Sequence, residues 1–329
     1  MSDRRRVGLA LLGALGFFLA VQLGALWLQT PFAAAGYQAV EDPGNPANSV
    51  FYIGVLLIAT VGMLALLKYE LTRVLRAFIV LTSGLISAYV FSVFVPPIVG
   101  EPGTLHLGAL LGGAGIVVGL AFYPEWWVID TAALIMGMGA AALFGISLDV
   151  FPVLLLLTAL AVYDAISVYG TEHMLTLASG VMELRVPVLI VIPTTLSFSF
   201  RELAAEMANE DSEFESEETD PATGSETDDP LDRDAFFIGL GDVVIPTILV
   251  VSAATFFEMP TVLGVELASA GAICGTLVGL GALLYFVMKG RPHAGLPLLN
   301  GGAIGGYLLG ALLGGLSLVE ALGIAQYLG

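Results

Sequence analysis

Two aspartates lie within otherwise apolar segments of this 329-residue chain. Asp164 lies inside one such segment, and Asp242 closes the string Gly239-Leu240-Gly241-Asp242 at the start of the next. A carboxylate is costly to place in a membrane, so an ionisable residue there marks a functional site by default. Two carboxyls close together in a low dielectric share one proton. One can then activate water while the other polarises a carbonyl, which is the chemistry of amide hydrolysis.

The spacing of the two aspartates predicts that they lie at one depth. Asp164 comes six residues before Gly170, where its segment ends. Asp242 comes six residues after Phe236, where the next segment begins. At a rise of ~1.5 Å per residue, each carboxyl lies roughly 9 Å below the same end of two antiparallel helices. The glycines just before Asp242 remove side chains, which allows another backbone to approach the pair.

Apolar segments recur along the whole chain and must position this pair. The sequence is 57% hydrophobic and only 12% charged, whereas soluble domains carry about 25% charged residues. Segments of about 20 apolar residues are long enough to cross a bilayer. We predict an all-α polytopic membrane protein with nine transmembrane helices. The predicted spans are Val7–Leu28, Val50–Leu67, Ala77–Val95, Leu105–Phe122, Val128–Leu148, Val150–Tyr169, Phe236–Phe257, Leu263–Met288 and Leu296–Leu316.

The basic residues predict how the chain is oriented. With nine spans, all 11 Lys and Arg fall on one side of the membrane, which the positive-inside rule assigns to the cytoplasm. The amino terminus is then cytoplasmic and the carboxyl terminus outside, in an integral protein of the cell membrane. Counting the short apolar segment 186–200 as a span would move Lys289 and Arg291 outside. Because that segment has only about 15 residues, we interpret it as membrane-associated and not membrane-crossing.

The predicted domain organisation has three parts. Residues 1–169 form an amino-terminal six-helix part that carries the first aspartate. Residues 170–235 form a cytoplasmic loop, membrane-associated over 186–200 and then acidic and disordered over 209–232. Residues 236–329 form a carboxy-terminal three-helix part that carries the second aspartate. The net charge of −18 is concentrated in the acidic loop, which repels nucleic acid and excludes it as a partner.

Three short motifs follow one another on the sixth, seventh and last predicted spans. They are Tyr163-Asp164, the Gly-Leu-Gly-Asp string that ends at Asp242, and the proline motif 297–299. Together with the nine-span plan and the large loop between the sixth and seventh spans, this ordered set resembles the presenilin/signal peptide peptidase family of intramembrane aspartyl proteases. The sequence around Tyr163 looks closest to the archaeal presenilin homologues.

The resemblance implies an aspartic endopeptidase that hydrolyses peptide bonds within transmembrane segments, with Asp164 and Asp242 as the catalytic pair. It implies no metal and no organic cofactor. Leu298 stands where the family has alanine, which bears on packing and substrate fit. The residues implied to shape the site are Tyr163, Gly239, Leu240, Gly241, Pro297, Leu298 and Leu299.

The implied partners are the lipid bilayer and the transmembrane segments of substrate proteins. A cytoplasmic amino terminus resembles presenilin and not the inversely oriented signal peptide peptidases. The implied substrates therefore have outside amino termini. The resemblance also implies that a substrate unwinds and adds as a strand beside the site, and segment 186–200, rich in β-branched residues, is predicted to supply part of that surface.

Two other function classes share some of these features. A proton-coupled secondary transporter also carries buried acids, which would act as a relay, but we find no internal repeat of the kind common in transporters. A prepilin-type peptidase shares the Gly-x-Gly-Asp string, although the nine-span plan and the proline motif favour the presenilin side. The first span also resembles a signal peptide, but its apolar run of about 22 residues is too long for one.

Two further patterns have plain structural explanations. Asp130, near Trp126 and Trp127, is interpreted as an interfacial acid beside an aromatic belt. Glycines spaced by four residues in the eighth and ninth spans predict close helix packing within the bundle, with a dimer face as the alternative. They are Gly271, Gly275 and Gly279 in the eighth span and Gly302, Gly306, Gly310 and Gly314 in the ninth.

Overall fold

The structure, a computed structural model, describes residues 3–97, 104–170, 189–193, 235–289 and 294–327. Helices form almost all of this part of the chain, with two short strand pairs between them. The long helices are α1 (Asp3–Ala34), α2 (Ala47–Lys68), α3 (Thr72–Phe94), α4 (Leu107–Phe122), α5 (Trp126–Ser147), α6 (Val150–Gly170), α7 (Leu240–Phe256), α8 (Leu267–Met288) and α9 (Gly295–Leu313). The strands are β1 (Leu189–Pro193), β2 (Ala235–Gly239), β3 (Thr261–Val262) and β4 (Val265–Glu266), and a short helix α10 (Leu318–Ala321) and a 3₁₀ turn (Ala325–Tyr327) follow α9.

Seven of the described helices are long and apolar enough to cross a membrane. Helices α4 and α7 are also apolar but shorter, with 16 and 17 residues. The prediction of a helical polytopic membrane protein is therefore confirmed. The count of nine membrane-crossing helices stays a prediction.

Helix α7 begins four residues later than the sequence predicted. Residues 235–239 form strand β2, which pairs antiparallel with β1 so that Ile190 lies opposite Ile238. Aromatic and branched residues such as Phe237 and Ile238 favour this pleated arrangement. Of the predicted membrane-associated segment 186–200, only β1 is described, and the predicted disordered segment 209–232 lies outside the described residues.

Helix α7 is the central helix of the described bundle. Residues 246–253 are buried without interruption, as expected of a helix that is surrounded on all sides. Its close neighbour α5 contributes Gly145, and a Cβ atom added there would lie 3.2 Å from the carbonyl oxygen of Ile248 and closer still to Val251. The short α7 is thus held against α5 by close packing at Ile248 and Val251.

Helices α8 and α9 pack through their glycines, as predicted. A Cβ atom added at Gly275 would clash with the carbonyl oxygen of Gly302, and one added at Gly271 with that of Gly306. These faces are therefore used inside the bundle, which argues against their use as a dimer face. Gly314 differs from the rest of the row, because an added Cβ atom there would clash with Met259 in the connection between α7 and α8.

Candidate active site

Helix α6 places Asp164 on its buried face. The side chain is only 8% exposed, whereas the adjacent Tyr163 is 47% exposed. Successive residues of a helix differ in direction by about 100°, so the two side chains occupy different faces. Asp164 is thus directed into the bundle, and Tyr163 lies at its surface.

Helix α7 places Asp242 in its first turn. The predicted depth of roughly 9 Å below the helix end is wrong for this residue, because residues 235–239 form a strand instead of the first turn of the helix. The amide N–H groups at a helix amino terminus favour an acidic side chain there. Gly239 is the extended residue that joins strand β2 to α7.

The start of helix α9 brings the two carboxyls together. The backbone N–H of Leu296 donates a hydrogen bond of 3.0 Å to Oδ2 of Asp164. On the preceding residue, a Cβ atom added at Gly295 would lie 3.2 Å from Oδ2 of Asp242. The N–H groups in the first turn of a helix lack helical partners and are available for such a bond. Two consecutive residues of α9 therefore contact two aspartates from different helices.

The close approach of backbone to carboxyl occurs at Gly295, which the sequence analysis did not select. An added Cβ atom at Gly239 would meet only Asp242, at 3.4 Å. At Gly241, the nearest described atom would be Cδ1 of Ile245, at 3.8 Å. Among the described residues, only side-chain atoms of α7 thus lie within 4 Å of either added Cβ atom. That Gly239 and Gly241 make room for another backbone stays a prediction. The signal for Gly295 was its place directly before the Leu-Pro sequence that starts the last span.

The proline motif forms the first turn of α9 and does not break the helix. Pro297 is the third residue of α9, where a missing N–H leaves no helical bond unmade. A Cβ atom added at Gly279 of α8 would clash with the carbonyl oxygen of Leu298, and Leu299 is fully buried. Asn300 then donates a hydrogen bond of 2.9 Å to the carbonyl oxygen of Leu157 in α6. These contacts hold the start of α9 against both α6 and α8.

Asp130 contacts strand β1, and the interfacial position predicted for it stays a prediction. Its Oδ1 accepts a hydrogen bond of 2.9 Å from the backbone N–H of Val191 in strand β1. The same helix α5 contacts the start of α7, because a Cβ atom added at Gly137 would lie 3.2 Å from Cδ1 of Leu240. Leu240 itself is buried. Helix α5 thus holds both the strand pair and the first residue of α7.

Within residues 3–97, 104–170, 189–193, 235–289 and 294–327, no three His, Cys, Asp or Glu side chains are grouped so that they could hold a metal ion. The arrangement around α9 is instead a carboxyl pair beside a helix amino terminus, which suits acid–base hydrolysis.

These features define the class of a membrane-embedded aspartyl protease, and comparisons with known proteins identify the family. The family described as signal-peptide peptidase, presenilin aspartyl protease matches residues 15–316. A solved presenilin-family intramembrane aspartate protease in space group C222 is 35% identical, with a TM-score of 0.64, and the match covers 92% of this chain and 99% of that one. One in space group P2 is 36% identical, with a TM-score of 0.61 and coverage of 92% and 97%. A comparison with curated proteins gives no match.

The chain belongs to the presenilin/signal peptide peptidase family. Its fold is that of a presenilin-like helical membrane protein, and its activity is that of an intramembrane aspartic endopeptidase acting on membrane proteins within the bilayer. The alternative of a proton-coupled transporter is not supported.

Proposed function

We propose that Asp164 and Asp242 are the catalytic pair of this protease. The observation that carries the proposal is their convergence on Gly295 and Leu296 at the start of α9. Their positions also match the two aspartate motifs of the family.

The hydrogen bond to Asp164 suits a division of roles between the two aspartates. Oδ2 of Asp164 accepts the N–H of Leu296, which favours the ionised carboxylate. We assign Asp164 as the base that takes a proton from water as the water oxygen attacks the scissile carbonyl carbon. Asp242, protonated, donates a hydrogen bond to the carbonyl oxygen. Asp164 then transfers the proton it took from water to the amide nitrogen, the C–N bond breaks, and the pair returns to its starting state.

The remaining site residues are proposed to shape the surface on which the substrate lies. Leu299 and Leu240 belong to one buried cluster beneath the start of α9, and Leu298 packs against it. The β1–β2 pair leads directly into α7, so a substrate strand that adds beside this pair would lie close to Asp242. Tyr163, Gly239, Gly241 and Pro297 complete the proposed set.

We further propose that the protein lies in the cell membrane with a cytoplasmic amino terminus, and that its substrates have outside amino termini. The support is that all 11 basic residues fall on one side of the nine predicted spans. The three-part domain organisation and the similarity to archaeal homologues stay predictions of the same kind.

The test is cleavage of a single-span reporter by the purified protein in lipid vesicles. Asp164→Asn and Asp242→Asn should each reduce cleavage by about 10³-fold or more, since members of a catalytic unit fail together. Their unfolding midpoints should match the wild type. A second reporter with an inside amino terminus tests the orientation and should be cut poorly. A folded variant of either aspartate that still cleaves the first reporter would refute the pair.

A further inference from the structure

A third acidic residue lies inside the helical bundle and has no part in the hydrolysis described above. Asp130 is half-buried in α5, and its carboxylate accepts the backbone N–H of Val191. A buried carboxylate is costly unless it is hydrogen-bonded. The backbone N–H of a buried residue likewise needs a partner, and Val191 is only 1% exposed. This one bond satisfies the N–H of Val191 and one oxygen of the Asp130 carboxylate.

The bond lies on a short path to the proposed catalytic residue. Val191 is paired with Phe237 in the register of β1 and β2. Two residues beyond Phe237, Gly239 ends the strand, and α7 begins with Asp242 in its first turn. The path from Asp130 to Asp242 therefore consists of one hydrogen bond, one strand pair and less than one turn of helix.

The strand pair needs such an attachment. Each strand has five residues, and an isolated two-stranded ribbon is marginally stable by itself. Apolar contacts between β1 and α5 hold the ribbon against the helix, since Val191 belongs to a buried cluster with Ile129 and Ala132. Such contacts are non-directional and allow sliding along the strand, whereas a hydrogen bond to one particular N–H sets the register.

We propose that Asp130 is a positioning residue, whose carboxylate fixes the β1–β2 pair against α5 and thereby places Asp242 beside Gly295. The proposal rests on the catalytic role proposed for Asp242. Asp130 itself touches no reacting atom. Because small misplacements of a catalytic group cost rate more than binding, loss of the bond should lower kcat more than it raises KM.

The test uses changes to both partners of the bond. Asp130→Leu removes the acceptor, and Val191→Pro removes the donor on the edge of β1 that faces α5. Each should lower kcat by about 10- to 100-fold. Asp130→Asn keeps an acceptor oxygen and should stay within about threefold of the wild type, because a neutral acceptor forms a weaker bond of the same geometry. Thr131→Val is the control, since Thr131 is exposed and bonds only within α5.

The combined variant separates positioning from general damage. If Asp130 and Val191 act through one bond, the double variant that combines Asp130→Leu and Val191→Pro should have a kcat no lower than that of the slower single variant. A double variant whose fold loss in kcat equals the product of the two single losses would overturn the proposal. A wild-type kcat in Asp130→Leu, or a loss in Asp130→Asn as large as in an equally folded Asp130→Leu, would also overturn it.

The proposed function has its own separate outcome in the same assay. An active Asp242→Asn variant would refute the catalytic pair, and with it the positioning role of Asp130. An inactive Asp242→Asn variant together with fully active Asp130 variants would refute the positioning role alone.

Discussion

Gly295 is the residue at which the proposed active site has the least room. An added Cβ atom would lie 3.2 Å from Oδ2 of Asp242 and 3.5 Å from its Oδ1. Gly295→Ala should therefore displace the Asp242 carboxyl and lower the cleavage rate by about 10- to 100-fold. The measurement is reporter cleavage together with the unfolding midpoint, which should change little because alanine is a better helix former than glycine.

Gly301 offers the matched control for that substitution. It lies in the same helix α9, and an added Cβ atom would meet no described atom within 4 Å. Gly301→Ala should therefore cleave the reporter at the wild-type rate. Equal activity of Gly295→Ala and Gly301→Ala would show that the carboxyl of Asp242 is not confined as the structure indicates.

The carboxyl pair also predicts how the rate depends on pH. The mechanism needs one ionised and one neutral aspartate, so the cleavage rate should rise and then fall as the pH increases. The two apparent pKa values belong to the pair and not to either residue. A flat cleavage rate across the acidic and neutral range, measured with stable protein, would contradict a shared proton between Asp164 and Asp242.

At the scale of elements, the contact between α8 and α9 supports the site from behind. A Cβ atom added at Gly275 would lie 2.8 Å from the carbonyl carbon of Gly302 and 3.0 Å from Cα of Gly306. Because these are backbone atoms, the helices must separate to admit a methyl group. Gly275→Ala should lower the free energy of unfolding by about 1–3 kcal/mol, measured by denaturation in a constant detergent.

The same substitution should affect catalysis, because α9 carries the residues that contact both aspartates. Gly281→Ala in α8 is the control, since an added Cβ atom there would meet no described atom within 4 Å. This variant should be as stable as the wild type or slightly more stable. A Gly275→Ala variant with wild-type stability would show that α8 and α9 are not in backbone contact.

At the scale of the whole molecule, an acidic pair between α7 and α8 links stability to pH at the end of the bundle opposite the aspartates. Burial, together with the smaller effect of the negative charge of Glu258, raises the pKa of Glu266 from 4.5 to about 7. Oε2 of Glu266 is buried without a hydrogen-bond partner among the described residues. The folded state therefore binds a proton more tightly there than the unfolded state does.

The sign of the resulting pH effect follows from this raised pKa. A proton held more tightly in the folded state contributes stability that is fully present below pH 4.5 and is lost as the pH rises through about 7. The unfolding midpoint should thus fall as the pH rises from 4.5 to about 7. Glu266→Gln should make the unfolding midpoint depend less steeply on pH in this range. Glu320 is the control, because its pKa is lowered by hydrogen bonds from Ser317. Glu320→Gln should leave the slope above pH 5 unchanged.

Sequence alone determined the apolar helices, the two aspartates and the motifs that carry the family resemblance. Apolar segments of span length must be helical in a bilayer whatever their neighbours are, because every backbone polar group has to be bonded within the segment. Asp164 and Asp242 were found for a related reason, since a carboxylate in such a segment needs a function to justify its cost. These conclusions depend only on residues close together in the chain.

Only the tertiary structure decided where α7 begins, which glycine faces Asp242 and what Asp130 binds. The start of α7 depends on the pairing of β2 with β1, which lies more than 40 residues earlier in the chain. The bond from Leu296 to Asp164 joins residues 132 positions apart, and that from Val191 to Asp130 joins residues 61 apart. Local pattern carries no information about such partners, because each contact exists only once the intervening helices have packed.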